Sequence, residues 1–127
     1  MGARKALVLS VWTPAATITP LEPLGDLVGR LSGIYGEMDA AGAALAQRQA
    51  AEGIAIARHA GFDAEPLTAR GKPSSEIVRV AGEQDVASVV LGARGVGALS
   101  SALLGSVSAR IAAHCRQPIL IVPREVD

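Results

Sequence analysis

The chain has 127 residues, half of them apolar, with twelve basic and twelve acidic side chains balancing to a formal net charge of zero. That length suits one domain with its own core, and without a basic cluster, with one Trp, one Tyr and one Phe, no nucleic-acid surface is expected. Cys115 is alone, which fits a reducing cytoplasm, and no apolar run approaches the roughly 20 residues that span a bilayer.

Met1–Lys5 and Leu7–Trp12 are too short for the charged and apolar parts of a signal peptide, so a cytoplasmic location is expected. Ala6–Trp12 (ALVLSVW) suits a parallel strand buried on both faces, ended by Thr13-Pro14. Ala15 to Gly36 carries Pro20, Pro23, Gly25, Gly29, Gly33 and Gly36. It predicts a long mobile loop with one short helical turn around Asp26–Leu31.

Glu37–Gly61 is the longest helix candidate. It is Ala-rich, opens with Glu37 and Asp39, and closes with Arg58, His59 and Gly61. Its apolar face is blurred: Met38, Leu45 and Ile56 align at helical spacing while Ile54 falls nearly opposite, and alanine on several sides lets the helix lie close to a sheet. Ala64–Ala69 predicts a weak strand, with Pro66 marking an edge. A loop from Gly71 leads into a helix capped by Ser74 or Ser75, with Ile77, Val80 and Ala81 inward and Gly82 as its stop. Val86–Leu91 predicts a buried strand, Ser106 opens a helix, and Pro118 releases the final strand Ile119–Val122.

The order β-α-β-α-β-α-β predicts an α/β fold, a doubly wound parallel sheet of four strands with helices on both faces, in one domain over residues 1–127. Ligands of such sheets sit at the carboxyl ends of strands, where Gly92 falls. The spacing Gly92-x2-Gly95-x9-Gly105-Ser106 is neither the dinucleotide pattern nor a P-loop, since no Lys follows the last glycine.

Gly92 and Gly95 let the backbone turn after the strand and approach a ligand. Gly105 admits phosphates to the helix start, where Ser106 Oγ and the N–H groups of Ser106 and Val107 can donate. Arg94 can supply charge in place of the missing Lys. Each residue also has a plainer reading: the glycines as turn and packing positions, Arg94 as a solvated charge, and Ser106 as an N-cap. Gly97 is a loop residue outside the spacing.

The stretch ASVVLGARGVGALSSALLGSVSARIAAHCRQPILIVP resembles the universal stress protein family and carries the G-x2-G-x9-G-[S/T] motif of its ATP-binding subgroup. The resemblance implies an adenine-nucleotide-binding regulatory domain, holding ATP, or ADP or AMP, with Mg2+ held by the phosphates. By motif position, Leu91, Gly92, Arg94, Gly95 and Val96 would surround ribose and phosphates. Gly105, Ser106 and Val107 would bind the phosphate tail, and the backbone of Val11 would contact adenine. It also implies a homodimer through the Ile119–Val122 edge strand, with a protein partner that the sequence does not name, while charge and hydropathy lead us to expect no nucleic acid or membrane partner.

One departure stands out. Family members begin with another strand, ending in Asp, and another helix, whereas Ala6–Trp12 resembles their second strand. The sequence therefore reads as a shortened or mis-started member with weakened ATP affinity. Two other resolutions are direct pairing of the Ala6 and Val86 strands, and pairing with another chain.

No Ser/His/Asp set, paired carboxylates or metal cluster stands out, so hydrolysis is expected to be absent or very slow. His59 and His114 sit near helix C-termini without metal-ligand companions. Cys115 reads as a small buried apolar residue. The alternative function is a nucleotide-free dimerisation or interaction module with a degraded pocket.

Overall fold

A computed structural model describes residues 4–15, 28–92 and 105–122. The chain divides into two compact units, Met1–Lys72 and Pro73–Asp127. The α/β class with parallel strands is as the sequence predicts. Among the described residues the strands pair as two-stranded ladders, one within each unit.

The first unit contains β1 (Arg4–Trp12), α1 (Val28–His59) and β2 (Phe62–Arg70). β1 and β2 run parallel through nine paired positions, from Arg4↔Phe62 to Trp12↔Arg70. Both strands outrun their apolar stretches, because the ladder continues through Lys5 and Asp63 once the register is set. Pro66 lies opposite Val8 on β2, whose one ladder neighbour among the described residues is β1. A residue without an N–H belongs at such an edge.

α1 starts nine residues before the predicted Glu37 and takes in Gly29, Gly33 and Gly36. Glycine costs about 1 kcal/mol relative to alanine inside a helix but does not itself end one. The end comes at Gly61, where φ is +96° and its N–H bonds the Arg58 carbonyl at 3.0 Å. Residues 16–27 of the predicted loop lie outside the described residues.

The structure resolves the blurred face of α1 in favour of the side that carries Ile54 and alanine. Ala46, Ala50 and Ile54 are buried, whereas Met38, Leu45 and Ile56 are exposed, Ile56 by 72%. Small residues win because they let the helix lie close to the strand. A Cβ at Gly42 would stand 3.4 Å from the Trp12 ring, and one at Gly53 only 2.5 Å from Val8 Cγ1. Polar groups complete the seam: Ser10 Oγ donates to Gln49 Oε1 at 3.0 Å, Arg58 donates to the Ala64 carbonyl at 3.2 Å, and Asp39 Oδ1 accepts the Ala15 N–H at 2.8 Å.

The second unit contains α2 (Pro73–Glu83), β3 (Val89–Gly92), α3 (Ser106–His114) and β4 (Ile119–Val122). β3 and β4 run parallel, from Val89↔Ile119 to Gly92↔Val122. Alternation divides them: Val89, Leu91, Ile119 and Ile121 are half-buried, while Val90, Leu120 and Val122 are exposed. The burial of both faces expected from the apolar run is thus met on one face among the described residues. Ile111 of α3, fully buried, anchors this unit with Val80 and Ala81 of α2.

Gly82 does not stop α2. The Asp85 N–H bonds the Gly82 carbonyl and the Val86 N–H bonds the Ala81 carbonyl, both at 3.3 Å. Asp85 takes the left-handed conformation, with φ of +49°. This is a Schellman closure with aspartate where glycine is commonest, and it engages Val86, so β3 begins at Val89 rather than at Val86. At the other end Pro73 is the first helical residue, so Ser74 and Ser75 lie inside the first turn instead of capping it. Proline suits that position because its missing N–H would have no intrahelical partner.

Candidate functional site

Two of the site elements come together at the end of β3 and the start of α3. Leu91 and Gly92 close the strand, and Gly105 is the N-cap of α3. Ser108, 4% exposed, donates from Oγ to the Gly92 carbonyl at 3.1 Å. That bond fastens the first turn of the helix to the carboxyl end of the strand, across the segment that carries Arg94, Gly95 and Val96. Those three predicted residues lie outside the described residues.

The cap differs from the expectation for Ser106. Gly105 has extended geometry, φ −64° and ψ 155°, and occupies the N-cap with no side-chain cap bond. Ser106 is the first helical residue and is exposed. The first intrahelical bond runs from the Ala109 N–H to the Gly105 carbonyl at 3.0 Å. The N–H groups of Ser106, Val107 and Ser108 therefore have no intrahelical acceptor, and the positive end of the helix dipole lies behind them. Because Gly105 brings no oxygen of its own, no side chain of the cap residue competes with an anion there.

Val11 belongs to the first unit, near the carboxyl end of β1, opposite Ala69 in the ladder. The N–H of Gly71 bonds the Trp12 carbonyl and Thr13 Oγ1 donates to the Gly71 carbonyl, each at 2.9 Å, closing that end of β1 against the end of β2. The Arg70 guanidinium stands 5.8 Å from the centre of the Trp12 ring.

Cys115 corrects another expectation: it is half-buried and polar in its contacts, its thiol lying 3.1 Å from Gln117 Oε1. Gln117 in turn donates to the Ala81 carbonyl at 3.2 Å. Among the described residues no group of three or more His, Cys, Asp and Glu could hold a metal ion, and no helix is long and apolar enough to cross a membrane.

Sequence reasoning missed Ser108. A serine inside a helix carries no spacing signal, and its role depends on where the Gly92 carbonyl points.

The strand end, glycine cap and final strand fall inside one continuous match: the family model of the universal stress protein family covers residues 7–123. The chain belongs to the universal stress protein family. Among curated relatives, universal stress protein YxiE of Bacillus subtilis is 40% identical over 62 residues, covering 49% of this chain and 42% of that protein. The chain therefore spans less than half the length of that relative in the match. Among solved structures, hypothetical protein MJ0577 covers all of this chain with a TM-score of 0.76, 20% identity and 81% of its own length. A curated relative of that name is from Methanocaldococcus jannaschii. A universal stress protein solved in complex with cAMP covers 93% of this chain and 72% of its own, with a TM-score of 0.52 and 24% identity.

Proposed function

We propose that this universal stress protein chain is an adenine-nucleotide-binding regulatory domain. The observation that carries the reading is the uncapped start of α3, held to the end of β3 by the Ser108–Gly92 bond. A glycine cap and three N–H groups without intrahelical acceptors fit a phosphate tail. Gly105, Ser106 and Val107 would hold that tail, with Leu91, Gly92, Arg94, Gly95 and Val96 around the ribose and phosphates and Val11 at the adenine. ATP is the proposed ligand, with ADP or AMP as alternatives and Mg2+ bridging phosphates when present. The solved relative bound to cAMP supports an adenine nucleotide as the ligand class.

The proposed role is to bind and report the nucleotide rather than to turn it over. The described part of the site offers hydrogen-bond donors and no carboxylate or imidazole placed to activate water. The reading extends to a cytoplasmic homodimer formed through β4. Leu120 and Val122 on that strand are exposed, at 60% and 47%, and β4 has a single ladder neighbour among the described residues. The same exposed face favours a second reading, an interaction module that works without a ligand.

Nucleotide extraction from the purified chain, followed by thermal unfolding with and without ATP, separates the two readings. Binding to the folded state raises the melting temperature with ATP concentration, since the added stability grows as RT ln(1 + [ATP]/Kd). No co-purified nucleotide and no shift at millimolar ATP would leave the interaction module.

A further inference from the structure

We propose that the open edge of β1 pairs antiparallel with β1 of a second copy of this chain, joining the two ladders into one sheet. In a strand, successive peptide groups point to opposite sides. The Gly71 N–H bonds the Trp12 carbonyl, and Trp12 is paired with Arg70. Ala6, Val8, Ser10 and Trp12 therefore turn their peptide groups towards β2. Lys5, Leu7, Leu9 and Val11 turn theirs the other way, where no described residue bonds them.

The two edges of the ladder differ. On the outer side of β2, Arg58 donates to the Ala64 carbonyl at 3.2 Å, and Pro66 offers no N–H. Both devices blunt an edge against further pairing. The free side of β1, a strand of nine residues, has no proline. α1 leaves an apolar flank on that same side. Gln47, Ala51 and Arg58 line a groove with Pro66 and Thr68 of β2, while Gly42 and Gly53 stand over Trp12 and Val8 of β1. At 3.6 residues per turn, the next positions round the helix, past β1, are Met38, Leu45 and Ile56. All three are exposed.

A second copy fits both features. With Val8 on a two-fold axis, Leu7 lies opposite the partner's Leu9 and Lys5 opposite the partner's Val11. Each outward-facing residue then meets another, and all their N–H and C=O groups are used. Moving the axis to Leu7 or Leu9 sets an end residue opposite a position beyond the strand. Charge sets the direction. Arg4 and Lys5 stand at one end of β1, so antiparallel pairing keeps the two basic ends apart, whereas a parallel copy would set like charges side by side. The axis is normal to the sheet, so both α1 helices lie on one face with their apolar flanks towards each other. This contact is separate from the β4 edge and does not rest on the nucleotide reading. Val11 also carries the proposed adenine contact, so ATP and the pairing compete for its peptide group.

Hydrogen exchange followed by NMR, with sedimentation of the whole chain over a range of concentrations and without nucleotide, tests the proposal. A dimer is expected whose formation slows exchange of the Leu7, Leu9 and Val11 amides at least tenfold, while Ala6, Val8 and Ser10 stay protected at every concentration. Leu7→Pro removes one outward N–H and no bond to β2. It is expected to raise the dissociation constant read from those amides at least tenfold. Ile56→Glu replaces an exposed side chain, leaves the ladder intact and is expected to raise that constant at least threefold. A chain that stays monomeric, or association that leaves the three amides unchanged, would overturn the proposal. So would protection of those amides that does not vary with concentration, the mark of a segment of the same chain on the edge, or an unchanged dissociation constant in either variant.

Discussion

Gly53→Ala tests whether the small-residue face of α1 sets the helix against β1. The new methyl would lie 2.5 Å from Val8 Cγ1, roughly 1 Å or more inside normal carbon–carbon contact. Val8 is β-branched and sits within the ladder opposite Pro66, so it has little freedom to turn away. Either the helix lifts or Val8 leaves its rotamer, an overpacking cost of about 1–3 kcal/mol.

Against this stands the intrinsic gain of alanine over glycine in a helix, about 1 kcal/mol. Gly36→Ala isolates that gain, because nothing lies within 4 Å of its would-be Cβ. Gly36→Ala should stabilise the chain, and Gly53→Ala should fall about 1–3 kcal/mol below it. Urea unfolding followed by Trp12 fluorescence measures both, since Trp12 is the chain's one tryptophan and packs against the same helix. Val8→Ala should then rescue Gly53→Ala, giving a coupling of about 1 kcal/mol or more in the double-mutant cycle. Equal stabilisation by the two alanines, with no coupling to Val8, would refute close packing of α1 on β1.

Ser106→Asp separates ligand binding from helix stability. A carboxylate at the first helical position should stabilise α3 by about 0.3–1 kcal/mol through the dipole, yet repel a phosphate tail and weaken ATP binding at least tenfold by calorimetry. Ser108→Ala leaves the Gly92 carbonyl without its donor and should cost about 1–2 kcal/mol in chemical unfolding, with a parallel loss of ATP affinity as the strand end and helix start separate. Asp85→Gly places the residue with no Cβ penalty in the left-handed position closing α2 and should raise stability by up to about 1 kcal/mol. A lower melting temperature in that variant would show that the aspartate side chain contributes more than its backbone costs.

The apolar runs ALVLSVW and ILIV determined the first and fourth strands, the run Val86–Leu91 located the third though the strand itself starts at Val89, and the glycine spacing located the strand end and helix start of the candidate site. Local composition suffices there because a buried strand is read from continuous hydrophobicity, and a phosphate-binding turn from where side chains are absent. The inward face of α1 stayed undecided in the sequence, which offered Met38, Leu45 and Ile56 on one side and Ile54 with alanines on the other. Met38, Leu45 and Ile56 are the larger side chains, but the close approach of Gly42 and Gly53 to Trp12 and Val8 turns them outward.

Helix ends followed the same division. Gly61 could be read as a stop. Gly82 could not be read as an interior residue, because the stop depends on which backbone carbonyls the Asp85 and Val86 N–H groups reach. Strand partners and the Ser108 bond to Gly92 were likewise settled by the tertiary structure. Sequence determined which segments could be buried. Which surfaces meet is decided by distances between atoms far apart in the chain, and those exist only once it has folded.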